Sequence, residues 1–141
     1  MRTRRRAYIY VIREKDGVRQ LLVFHEDDPE AGIQVPGGGI EPDETPLEGM
    51  KREVLEETGL KACVVERELA VDLRQYEDHL QERHFFWLSV ADAPDEWDHV
   101  VSGKGEDNGL IFHYFWVSSP TEVTLILGHG DYLAAIFNSS H

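Results

Sequence analysis

The sequence has one cysteine, Cys63, among 141 residues. An internal disulfide and a cysteine-based zinc cluster are therefore excluded, and a reducing compartment is expected. No apolar run approaches the ~18 residues that cross a bilayer. The basic start, Arg2 to Arg6, leads into an apolar stretch, Ala7 to Ile12, that stops at Arg13, short of the ~7–15 residues of a secretory signal. The expected location is the cytoplasm, with no membrane partner. Repeats, low-complexity segments and proline-rich linkers are also missing, so residues 1–141 are expected to form a single domain. A chain of this length buries roughly two thirds of its unfolded surface without any covalent staple. Bases are scarce beyond the first strand: from Gln20 onward there are 25 acids and 7 bases. A surface of that sign repels a phosphate backbone, so nucleic acid is an unlikely partner. The excess acid serves either solubility or the gathering of carboxylates around a divalent cation.

Ala7 to Arg13 and Val18 to His25 are rich in branched and aromatic residues and read as paired strands, joined at Glu14-Lys15-Asp16-Gly17, where Asp-Gly is a strong hairpin signal. An acidic loop, His25 to Gly32, precedes a short strand, Ile33 to Val35, and then Pro36-Gly37-Gly38-Gly39. A helix is expected from Pro46 to Thr58, strands over Ala62 to Arg74, His84 to Val90 and Leu110 to Val117, and a short helix over Asp131 to Phe137. Strands outnumber helices, which gives a mixed α+β architecture.

The first helix carries its own punctuation. Thr45 is a suitable N-cap, Pro46 a first-turn proline and Glu48 the partner of a capping box, while Gly59 stands where a left-handed C-terminal cap belongs. At about 100° per residue, Leu47, Met50, Val54 and Thr58 share the face expected to pack on a sheet, and Glu53, Glu56 and Glu57 share a flank about 100° wide. Gly49 lies among them without a side chain to obstruct approach, and Arg52 can reach Glu48 one turn earlier. Three carboxylates in the last two turns repel one another and face the negative end of the helix dipole, at ~0.3–1 kcal/mol each. A solvated acidic face is one explanation. A divalent cation removes the conflict, and hard oxygen donors suit Mg²⁺ or Mn²⁺. The preceding glycines, Gly37, Gly38 and Gly39, allow close approach of backbone amides to a ligand, and Glu44 can turn toward the same cavity.

Gly38, Glu44, Arg52, Glu53, Val54, Glu56, Glu57, Gly59 and Leu60 fill, at the required spacing, the signature of the Nudix hydrolases, a family this sequence resembles. The resemblance implies an α/β/α sandwich with a mixed sheet and a loop–helix–loop. It also implies hydrolysis of a pyrophosphate bond in a nucleoside diphosphate joined to another moiety, a small-molecule nucleotide substrate, with Mg²⁺ or Mn²⁺ as cofactor. Carried over, Glu53, Glu56 and Glu57 would hold metal, assisted by Glu44. Glu53, Glu56 or a later loop acid would activate water. Arg52 would be structural, orienting a glutamate, and Gly37, Gly38 and Gly39 would shape the loop and bind substrate. Two departures stand out: Asp43 occupies a place where the family often has glycine, and Ile33-Gln34 a place where it often has an aromatic residue. Alternatives within the resemblance are a non-catalytic nucleotide sensor, against which the complete signature speaks, and an RNA 5′-end pyrophosphohydrolase, against which the acidic surface speaks. A structural Ca²⁺ domain lacks EF-hand spacing.

Outside this segment, Glu106 and Asp107 are candidates for the later loop acid, against a solvated glycine-rich turn. Trp97 is a candidate for stacking on a nucleobase, against anchoring its loop to the body. His84 and His113 are expected to be structural. Arg2, Arg4, Arg5 and Arg6 could meet phosphates, but a frayed, solubilising end is the preferred reading. The sequence is compatible with a homodimer.

Overall fold

The structure is a computed structural model and describes residues 2–138. Its organising element is β1 (Arg2–Lys15), whose Ala7 to Ile12 run is buried on both sides. Such a continuous apolar run belongs in a strand covered on both faces. Ala7, Ile9 and Val11 pack with Met50 and Val54 of α1 (Pro46–Thr58), whereas Tyr8, Tyr10 and Ile12 pack with Leu133 and Ile136 near α2 (Ala134–Phe137).

β1 changes partner along its length. Its C-terminal end pairs antiparallel with β2 (Val18–His25), and Arg6 to Tyr8 pair antiparallel with β3 (Gly37–Gly39). The other edge pairs in parallel with β5 (His79–Ser89), from Arg2 opposite His79 to Ile12 opposite Ser89. With β4 (Val64–Gln75), β6 (Trp97–Val100) and β7 (Ile111–Val117), the sheet order is β4-β5-β1-β2-β7-β6, with β3 beside β1. Asp16 and Gly17 both take positive φ, 53° and 78°, as a two-residue hairpin between right-twisted strands requires.

Several sequence expectations change. The arginines of the N-terminal end are not frayed: Arg2 to Arg6 continue β1, because pairing with β5 satisfies their backbone. Gly37 to Gly39 form a strand, and Ile33 to Val35 contribute only isolated bridges, Phe24 to Gln34 and Ile33 to Leu125. β5 begins earlier than expected, at His79, and β6 was not anticipated. Leu47, placed by spacing on the packed face of the helix, is 42% exposed in its first turn.

On the face away from α1, Arg83 fastens the C-terminal segment. Its Nη1 donates to Gly128 O (3.3 Å), and its Nε and Nη2 reach Asp72 and Asp131 at 2.7 and 2.9 Å. The Tyr10 hydroxyl donates to His129 O at 2.7 Å and accepts from Tyr132 N at 3.3 Å.

Gly37 has no room for a side chain, since a β-carbon there would run into the Ala7 carbonyl of β1, whereas one on Gly39 would meet open space. Gly37→Ala is expected to lose ~1–3 kcal/mol of stability, and Gly39→Ala to stay within ~0.5 kcal/mol. Urea unfolding of the two variants checks this, and equal losses would contradict the account of β3.

Candidate active site

The helix is capped as its sequence requires. Thr45 Oγ1 accepts from Glu48 N at 3.1 Å, Glu48 Oε1 accepts from Thr45 N at 2.8 Å, and Gly59 takes φ 77°. Because Glu48 is committed to the cap, Arg52 does not use it. Nε and Nη2 of Arg52 instead hold both oxygens of Glu44, at 2.7 and 2.8 Å. Nη1 reaches Glu53 at 2.8 Å and Glu56 at 3.1 Å, and Nη2 also donates to Gly39 O at 2.9 Å. One guanidinium thus ties three carboxylates to the glycine strand, a use of its planar set of donors that lysine could not reproduce.

The far end of the helix is held by β6, β7 and the loop after β6. Glu56 O accepts from His99 Nε2 (2.8 Å) and Ser102 N (3.2 Å), Glu57 O from the Tyr114 hydroxyl (2.8 Å), and Thr58 O from Trp97 Nε1 (3.0 Å). Carbonyls that a helix end leaves without partners are thereby satisfied. Trp97 is spent on this cap and on stacking against Tyr114, with centroids 5.0 Å apart. It does not line the cavity described below, so the base-stacking expectation gives way to the anchoring one.

Glu53 and Glu57 are buried at 8% and 4% exposure. Burial pushes the Glu57 carboxyl up to about 8, opposed in part by the Gly37 N–H that donates to its Oε1 at 3.0 Å. Burial likewise raises Glu53, against the pull of Arg52. Glu44 moves the other way, held down at about 2 chiefly by its hydrogen bonds from Arg52. Gly38 and Gly103 complete the enclosure. A β-carbon on Gly38 would collide with the Glu53 carboxylate, and one on Gly103, at φ 104°, with that of Glu56.

These carboxylates border a cavity of about 410 Å³. Gly38, Gly39, Glu53, Glu56 and Glu57 form one wall, and Ser102 and the 105–108 loop, including Glu106 and Asp107, form another. The remaining wall is basic and polar: Arg4, Arg5 and Arg6 of β1 with His79 and Gln81 of β5. Arg5 is turned to Glu41 O and Glu44 O, at 2.6 and 2.9 Å. Arg6 is the lining arginine whose charge acts on Glu53 and Glu57, whereas that of Arg4 acts on Asp78. Glu44, with both oxygens on Arg52, and Gly37 lie outside the lining. Sequence reasoning missed His79 and Gln81 entirely. The only available signal was the run of bases leading directly into an apolar strand.

Among the described residues, no three His, Cys, Asp or Glu side chains converge as a ready-made metal cluster. The donor set nevertheless suits a hard cation: two buried carboxyls disfavoured as anions and a third beside them, all oxygen ligands. Magnesium characteristically takes one or two carboxylates and completes its shell with water and substrate phosphate.

A family model described as the NUDIX domain matches residues 2–123. Diphosphoinositol polyphosphate phosphohydrolase 3-beta of Bos taurus is 32% identical over 99 residues, covering 70% of this chain and 58% of its own. The 3-alpha enzyme of Mus musculus is 35% identical with the same coverage. The chain thus spans a little over half the length of these curated relatives. Among solved structures, the E. coli ORF135 protein matches with a TM-score of 0.62 at 20% identity, over 98% of this chain and 91% of its own. The C. elegans Ap4A hydrolase matches with a TM-score of 0.59 at 14% identity, over 82% and 80%. At such identities these two matches establish the fold alone.

Glu57 makes stability depend on pH in a defined direction. Its pKa rises from the ordinary 4.5 to about 8 on folding, so between those values the folded chain binds a proton that the unfolded chain does not. Its contribution is full below pH ~4.5 and is lost as pH rises toward ~8. In buffer containing a chelator, the melting temperature of the wild type should fall between pH 5 and pH 8, and Glu57→Gln should flatten that slope. Parallel curves for the two proteins would refute it.

Proposed function

The chain belongs to the Nudix hydrolase family, and on that premise we propose that it hydrolyses a pyrophosphate linkage in a small phosphorylated molecule, with a divalent cation, Mg²⁺ or Mn²⁺, as cofactor. The observation that carries this reading is one cavity lined both by Arg6 and by Glu53, Glu56 and Glu57. A phosphoanhydride needs both kinds of wall: cations to hold its non-bridging oxygens, and carboxylates to bind the counter-ion and accept a proton.

In this reading Glu53, Glu56 and Glu57 hold the cation, which when bound offsets the anhydride's negative charge and acidifies water. Arg6 binds and orients phosphate oxygens against the acids, which gives the attacking water a fixed line of approach. Glu53 or Glu56 takes the proton from that water. One oxygen of each is held by Arg52, which leaves the other for this task. Glu106 and Asp107, on the loop after β6, are the further acids that line the same space. Gly38 and Gly39 bring backbone against the substrate, whereas Gly37 steadies Glu57. Glu44 acts through Arg52.

A nucleoside diphosphate joined to another moiety is the substrate class that the sequence signature implies. The basic wall and the relatives named for diphosphoinositol polyphosphates favour a second reading, in which the molecule carries phosphates beyond the anhydride itself. Assays with and without magnesium on nucleoside diphosphate derivatives, a diphosphoinositol polyphosphate, dinucleoside polyphosphates and capped RNA separate the classes. Saturable binding without turnover would instead indicate a sensor. On whichever substrate is cleaved, Glu53→Gln and Glu57→Gln should each lower turnover by at least ~10²-fold with the circular dichroism spectrum unchanged. Undiminished hydrolysis by both would remove the assignment.

A further inference from the structure

We propose that His79 is a specificity-determining residue that, oriented by Asp78 and Tyr76, binds an anionic group of the substrate remote from the scissile anhydride. The inference rests on the hydrolytic reading above and deepens it. The parallel register places Arg2 opposite His79 and Arg4 opposite Gln81, so these residues project from one face of the sheet. The acidic end of the cavity lies beside Gly38, whose partner on β1 is Ala7. From Ala7 back to Arg2 is about 16 Å of strand at ~3.3 Å per residue. His79 nonetheless lines the same cavity as Glu53 and Glu57, at its far end. A ligand that touches both ends therefore carries a second polar group well separated from the first.

The imidazole is held ready for such a contact. Tyr76 N donates to His79 O at 2.8 Å, closing the turn between β4 and β5, and the two rings stack with centroids 5.0 Å apart and planes 9° apart. Asp78 Oδ1 lies 2.7 Å from His79 Nδ1. The Asp78 carboxyl is held below its usual range chiefly by that hydrogen bond, so it is an acceptor and Nδ1 carries the proton. Nε2 is thereby the nitrogen left for the cavity. With Arg4 on the adjacent strand, it makes a short edge suited to a phosphate.

The test compares His79→Ala and His79→Lys in the full chain on two substrates. One is a nucleoside diphosphate sugar, whose only phosphates form the anhydride, and the other is a diphosphoinositol pentakisphosphate. For the second substrate, the alanine variant should raise KM ~10-fold with kcat held within ~2-fold, and lysine should restore KM to within ~3-fold of wild type. KM for the sugar should not follow. Equal changes on both substrates, no change on either, or failure of lysine to restore binding would overturn the proposal. A calorimetric titration with inositol hexakisphosphate, which has no anhydride, separates the two readings. His79-dependent binding without turnover of either substrate would overturn the hydrolytic reading and leave this one standing. Absence of binding to the wild type would overturn this one.

Discussion

The arrangement depends on how several carboxylates are kept together at the negative end of one helix. Arg52 neutralises part of that charge and fixes its geometry, since its donors meet Glu44, Glu53, Glu56 and the Gly39 carbonyl at once. What Arg52 does not reach, burial handles differently: Glu57 is pushed toward its neutral form and accepts from the glycine strand. The helix end is then closed by hydrogen bonds from Trp97, His99 and Tyr114. Removing Arg52 would leave like charges confined without compensation, a more severe defect than the loss of a surface ion pair.

Charge is sorted by strand as well as by helix. The chain is strongly acidic, at a formal net charge of −13, yet its densest run of bases is not spread over the exterior. Three of those arginines line the cavity that the acids also border. Composition alone suggested a repulsive sheath. The folded arrangement is a cleft lined by both signs of charge within an acidic body.

How much of this could be read from the residues follows from how local each signal is. The helix was legible almost to the residue, because Thr45, Pro46, Glu48 and Gly59 act within one turn of where they stand. The acidic flank was legible for the same reason. Arg52 was assigned a local partner, Glu48, and took more distant ones because the capping box had claimed that side chain. The continuation of β1 through Arg2 to Arg6 was not legible. It arises from parallel pairing with β5, some seventy residues away, and no nearby residue announces a parallel neighbour. His79 and Gln81 reach the cavity through that same pairing. Gly37 to Gly39 read from the sequence as a loop that lets backbone approach a ligand; in the fold the positions of Ala7 and of the Glu53 carboxylate also leave no space for anything larger at Gly37 and Gly38.

The double duty of β1 bears on how such a protein can diverge. Residues 7–12 belong to the packed interior, while residues 4, 5 and 6 stand at the cavity end of the same strand and are exposed or only half-buried. Their place on the strand, fixed by pairing with β3 and β5, brings them to the cleft without regard to their chemistry. Lineages can therefore exchange these few outward positions, and with them the length and charge of the molecule accommodated, while the hydrophobic packing is inherited intact.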